Sequence, residues 1–112
     1  MPAFAGSHRS SLAVVDGWAI NLSRLDEAVS AIADAAEAGE PASGVTLNLD
    51  HLVKLRPSEA FRRAYRAARF VTADGAPIVH LARAQGGDGI ERTPGADLVL
   101  PLAEEAARRN LA

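Results

Sequence analysis

The chain has 112 residues, 48% of them hydrophobic and 23% charged, with 12 Lys plus Arg against 14 Asp plus Glu for a net charge of −2. That balance gives no global pull on nucleic acid or anionic lipid, and the length suits one domain that buries roughly 65% of its unfolded surface. The absence of cysteine excludes disulfides and thiol chemistry, and no apolar run approaches the roughly 20 residues that cross a bilayer.

Residues 1–11 are small and polar and read as a flexible tail, without the apolar core of a signal peptide. The folded part is expected over residues 12–112. Leu12-Ala13-Val14-Val15, closed by Asp16-Gly17 and followed by alternating Trp18 and Ile20, predicts a first strand or hairpin. Ser23, three residues before Asp26, is a weak capping box. It opens a helix over residues 23–38 whose apolar positions are Leu25, Ala28, Val29, Ile32, Ala33 and Ala36, with Asp26, Glu27, Asp34 and Glu37 on the solvated remainder.

Gly44-Val45-Thr46-Leu47-Asn48 reads as a strand with Thr46 and Asn48 on one side. Residues 50–54 can make a helical turn, Pro57-Ser58 resets the chain, and residues 59–69 predict an arginine-rich helix. Phe70-Val71-Thr72-Ala73 is a further strand running into Asp74-Gly75, and Pro77 suits the first turn of a helix through Gln85. Gly86-Gly87-Asp88-Gly89 reads as a flexible loop, and a last helix starts near Asp97, or resets at Pro101, and runs to about Arg109. Strands alternating with helices in this way imply an α/β fold built on a parallel sheet with crossover helices.

In such sheets ligands sit beyond the carboxyl ends of the strands, which selects Thr46, Asn48, Asp74 and the segment with Arg92, Gly95 and Asp97. Asp74 is either a turn residue or a general base. Thr46 and Asn48 either satisfy nearby backbone or hold a sugar hydroxyl or amide. Arg92 beside Gly95 is either a surface cation or a phosphate ligand. Gly87-Asp88-Gly89 matches no dinucleotide or Walker pattern. Arg62, Arg66 and Arg69 share a predicted helical face that is a solvated surface or a site for an anionic surface. His51 and His80 stand alone and read as structural, so no metal is expected.

Taken together, Thr46-Leu47-Asn48, Phe70 to Val79 with Asp74-Gly75 and Pro77 inside it, Leu81-Ala82-Arg83 and Glu91-Arg92-Thr93-Pro94-Gly95-Ala96-Asp97-Leu98 resemble the WecG/TagA/CpsF glycosyltransferase family. The resemblance implies a three-layer Rossmann-like parallel sheet with crossover helices. It also implies an inverting transfer of an N-acetylhexosamine, typically N-acetylmannosamine, from a UDP-sugar to polyprenyl-diphosphate-linked N-acetylglucosamine in bacterial cell-surface polysaccharide assembly. On that basis Asp74 is the general base, and Thr46, Asn48, Arg92, Gly95 and Asp97 bind substrate. No cofactor is implied. The location implied is cytoplasmic, at the inner face of the plasma membrane, with peripheral membrane contact and homo-oligomers left open. Members of that family continue past the helix at residues 97–110, often to a membrane-docking appendage, so residues 12–112 correspond to the N-terminal half of the catalytic domain. The alternative is a non-catalytic binding or assembly module that uses the exposed sheet edge.

Overall fold

Strands β1 (Ala13–Val15) and β2 (Trp18–Ile20) form an antiparallel hairpin. Asp16 and Gly17 both have positive φ, 51° and 85°, the pattern of a two-residue type I′ turn that Asp-Gly favours. The computed structural model, which describes residues 10–111, thus realises the hairpin of the two forms expected here, and because a two-residue turn reverses the chain, the opening strand joins no parallel crossover. The expected tail lies largely outside the described residues.

Helix α1 (Leu25–Glu37) is followed by β3 (Gly44–Leu47), α2 (Leu49–Leu55), α3 (Glu59–Ala67), β4 (Phe70–Ala73), α4 (Ala76–Ala84) and α5 (Gly95–Arg108). β3 and β4 pair in parallel, Thr46 opposite Thr72. On the other edge of β4 the amides of Asn21 and Leu22 both donate to the Val71 carbonyl (3.1 and 3.2 Å). The Asn21 side chain completes the ladder, accepting from the Val71 amide and donating to the Arg69 carbonyl, each at 2.8 Å. All four residues of β4 are consequently buried, as expected for a strand with neighbours on both sides.

The two faces of β4 serve two apolar clusters. Phe70 packs with Leu22 after β2, with Ala28, Ala31 and Ala35 of α1 and with Leu98 of α5, while Val71 and Ala73 pack with the hairpin, Leu55, Tyr65 and Ile78. The alternation follows from the period of two along a strand. The result is a mixed α/β arrangement with a small parallel sheet and five helices among the described residues. None of these helices is long and apolar enough to cross a membrane.

Local chemistry explains most element ends. Asn48 and Ser58 cap α2 and α3 by accepting from the amides of His51 and Phe61. At α1 the box forms one residue out of the expected place: Glu27, not Asp26, reaches back to Ser23 and accepts from its amide (2.6 Å) and hydroxyl (2.9 Å). The inward face of α1 is also turned, with Ala31 and Ala35 buried and Ala36 exposed. Its acidic residues are not merely solvated, because Asp34 and Glu37 pair with Arg109.

Helix α3 ends at Ala67, short of the expected residue 69. Ala68 is extended (φ −71°, ψ 127°), which lets Arg69 and Phe70 both donate to the Ser43 carbonyl. Arg62, Arg66 and Arg69 therefore do not form one basic helical face. Arg69 binds Glu40 at 2.7 Å, and Arg62 donates to the carbonyls of Leu55 and Arg56 at the end of α2 as well as to Glu59.

Two further expectations change. α5 is continuous from Gly95 through Pro101, which loses one backbone bond without resetting the helix, because Leu98 and Leu102 on either side pack on α1. The Gly86-Gly87 segment is a packed helix end rather than a flexible loop. Gly86 and Gly87 donate to the carbonyls of Arg83 and Ala82, a Schellman closure of α4. A Cβ on Gly87 would lie 2.5 Å from Ile90 Cδ1 and 3.0 Å from the Ala82 carbonyl.

Candidate active site

The carboxyl ends of β3 and β4 lie side by side, because the parallel register carries through to Asp74, whose amide donates to the Leu47 carbonyl at 2.8 Å. Asp74 is half-buried. The turn that follows is made by Gly75 (φ 93°), and the side chain of neither residue caps α4. The carboxylate of Asp74 thus has no hydrogen-bond partner among the described residues. Of the two roles open to an Asp before Gly, the turn role leaves the carboxylate unused.

The segment carrying Arg92 is pinned to the same end. The Thr93 amide donates to the Ala73 carbonyl (2.6 Å), the Glu91 amide to Ser23 (2.7 Å), and the Thr72 hydroxyl to the Thr93 carbonyl (2.8 Å). Thr93 is buried while Arg92 between these anchors is exposed. Unlike Arg56, Arg69 or Arg109, Arg92 makes no ion pair among the described residues. A backbone bonded on both sides with an unneutralised guanidinium between can receive an anion without first breaking an ion pair.

Gly95, at the start of α5, packs against Thr46 of β3, a Cβ on Gly95 falling 3.6 Å from Thr46 Cγ2. They line one side of an apolar cleft with Thr72, Leu98 and Val99. Gly95 opens α5 after Pro94, which offers no side-chain cap. Asp97 is exposed in the first turn of that helix, where a negative charge suits the helix dipole, and its carboxylate bonds to none of the other candidates. Asn48 divides its groups: Oδ1 accepts from the His51 amide at 2.8 Å, and Nδ2 is left over. The local capping role is therefore realised for Asn48, and it consumes half of the side chain.

Two residues join the site that sequence reasoning did not place there. The Tyr65 hydroxyl donates to the Thr46 carbonyl (3.1 Å), and His51 Nδ1 lies 2.9 Å from the same hydroxyl. Ser43 and Leu47 carbonyls face β4, so by alternation the Thr46 carbonyl faces the outer edge of β3 and Tyr65 caps it. Trp18 and Phe61 surround Tyr65 with ring centroids 5.7 and 5.4 Å away. Burial, and next the charge of Asp74, push the Tyr65 hydroxyl up to about 12. His51 is thus not isolated. Its signals in the sequence are its place three residues after the Asn48 cap and a tyrosine on the apolar face of the next helix, a residue whose polar tip needs a partner when buried.

The structure therefore gathers Thr46, Asn48, Asp74, Arg92 and Gly95 around the carboxyl ends of two parallel strands and adds His51 and Tyr65. Asp97 stands on the adjoining helix turn. A half-buried free carboxylate at a strand end to which the segment of an unpaired guanidinium is bonded is a combination suited to accepting a proton from one group while stabilising negative charge on another. No curated protein and no solved structure matches the chain. The model of the Glycosyl transferase WecG/TagA/CpsF family matches residues 13–112, nearly the whole described fold and every residue of this site, and the chain belongs to that family.

Proposed function

We propose that this chain supplies the base side of an inverting N-acetylhexosaminyl transfer from a UDP-sugar, typically UDP-N-acetylmannosamine, to a polyprenyl-diphosphate-linked N-acetylglucosamine in cell-surface polysaccharide synthesis. The observation that carries the reading is the half-buried Asp74 carboxylate, free of hydrogen bonds at the end of β4, with the unpaired Arg92 on a segment bonded to the same strand end. The acceptor hydroxyl attacks the anomeric carbon, Asp74 takes its proton, and the bond to the UDP oxygen breaks. Arg92 offsets charge on the departing diphosphate. Thr46, Gly95 and the free Nδ2 of Asn48 hold sugar oxygens, and Asp97 contributes from the first turn of α5. In this reading β3 and β4 belong to a three-layer Rossmann-like sheet, and the work is done in the cytoplasm at the membrane's inner face, where a lipid-linked acceptor is within reach.

The test is transfer of radiolabelled N-acetylmannosamine from UDP to a short-chain lipid-diphosphate acceptor by the chain, its Asp74→Asn variant and a blank. Product that depends on Asp74 is expected. Product unaffected by the substitution removes Asp74 from the chemistry.

A second reading, self-association, is favoured by one observation. The outer edge of β3 pairs with no strand among the described residues, and Val53, Val99 and Leu100 are more than 60% exposed. A strand edge without a partner strand and exposed apolar side chains are the two features through which a second copy can pair. Sedimentation across a concentration series that shows only monomer eliminates it.

A further inference from the structure

We propose that His51, oriented by Tyr65, presents Nε2 as a hydrogen-bond acceptor for a sugar hydroxyl at the carboxyl end of β3. The identity of the ligand rests on the transferase reading; the orientation of the ring does not. A backbone carbonyl only accepts, so the single proton of the Tyr65 hydroxyl goes to the Thr46 carbonyl (3.1 Å). The oxygen of that hydroxyl is then the acceptor for His51, and Nδ1 at 2.9 Å must carry the proton. In a neutral imidazole the lone pair is left on Nε2.

The ring has little freedom to escape this assignment. It stands edge-on to Phe61 (5.1 Å between centroids, 87°) and to Tyr65 (6.1 Å, 87°), and its backbone amide is held by Asn48 Oδ1. Burial and the charge of Asp74 push the Tyr65 hydroxyl up to about 12, so it keeps a proton to donate. Among the described residues Arg69 Nε is the one buried side-chain polar atom without a partner. His51 Nε2, which has none either, is therefore open to solvent.

Apart from the Asp74 carboxylate, assigned to the attacking hydroxyl, the site offers donors, Asn48 Nδ2 and the Arg92 guanidinium, which suit carbonyl and phosphate oxygens. An exposed neutral nitrogen lone pair complements the opposite group, a hydroxyl proton. Hexosamines carry both kinds. Tyr65, one hydrogen bond behind, is a positioning residue.

The experiment uses the 15N-labelled chain and long-range 1H–15N spectra of its histidine rings, with the exposed His80 as an internal control. Neutral His51 is expected as the Nδ1–H tautomer, opposite to the Nε2–H form that free imidazole side chains prefer in water, and Tyr65→Phe is expected to return it toward that form. On titration with methyl N-acetylglucosaminide, the His51 Nε2 resonance should move while His80 stays. His51→Gln, which keeps a polar group near the Nε2 position, should bind within about threefold of the parent, and His51→Asn, which keeps only the Nδ1 side, about tenfold more weakly, the worth of one hydrogen bond. An Nε2–H tautomer in the parent chain overturns the inference. So does sugar binding that moves the Asn48 and Asp74 amides but leaves Nε2 unmoved, and both results leave the transferase reading standing. If the tautomer is Nδ1–H but no resonance responds to the sugar, the acceptor site of the transferase reading fails, and the ligand role of Nε2 fails with it.

Discussion

Charged side chains are handled in opposite ways at the seam between α1 and α5 and at the carboxyl end of β4. At the seam Arg109, only 15% exposed, binds Glu105 (2.6 Å) and Asp34 (2.8 Å) and lies 3.5 Å from Glu37, and Glu105 is also paired with Arg108. The hydrogen bonds from Arg108 and Arg109 pull the Glu105 carboxyl down to about 2. At the strand end Asp74 and Arg92 make no ion pair and no side-chain hydrogen bond among the described residues, although the backbone around both is bonded on several sides. Pairing ties two helices together and uses up the charges. Withholding it, on a backbone held just as firmly, leaves charge available for something that is not part of the chain.

The contrast is most exposed to failure at Asp74. Asp74→Asn is expected to lower transfer by about 100-fold or more, the worth of a positioned base, with an unchanged melting temperature. A lower melting temperature would mean that the carboxylate is structural after all. The same variant should lower the titration midpoint of Tyr65 below about 12, since the Asp74 charge helps to raise it, and absorbance reads this cleanly because the chain has one tyrosine.

Asn21→Ala tests whether the strand end owes its rigidity to uncharged bonds. It strips the Val71 amide and the Arg69 carbonyl of their partner and should cost about 2 to 3 kcal/mol in chemical denaturation, a loss that no added salt restores. Arg92→Ala should weaken UDP-sugar binding about tenfold, as expected for one charge-assisted contact, and leave stability unaltered because nothing within the fold binds the guanidinium. The smallest effect belongs to the seam. Glu105 lies below its ordinary value of 4.5 in the folded chain, so its contribution is complete above about 4.5 and is lost as the pH falls toward about 2. Glu105→Gln should flatten the decline in denaturation midpoint over that window, and high salt should shrink the difference.

Asp74, Thr46, Asn48 and Arg92 were legible because a strand end can be read from a short apolar run stopped by a turn, and family motifs lie over those positions. His51 and Tyr65 were not. Fourteen residues separate them, and each alone has an ordinary explanation, a stray histidine and an apolar helix position. The basic face expected from Arg62, Arg66 and Arg69 failed for a related reason. Its spacing is helical on paper, but Arg69 is drawn into extended backbone by the Ser43 carbonyl and into an ion pair with Glu40, 29 residues earlier.

What the sequence by itself determined is the chemistry that acts within a turn or two: the Asp16-Gly17 reversal, the Asn48 and Ser58 caps, the strand stopped at Asp74, and the family to which these motifs belong. Tertiary structure alone decided that the opening hairpin is latched to β4 by an asparagine side chain 50 residues away in sequence. It also decided that Gly87 packs rather than flexes, that α5 continues through Pro101, and that Tyr65 orients His51. The division is physical. Caps and turns are satisfied by the nearest backbone groups, whereas the partners of a buried amide, hydroxyl or imidazole are chosen by whichever distant segment packing brings within hydrogen-bond reach, since leaving such a group unpaired costs more than any local preference supplies.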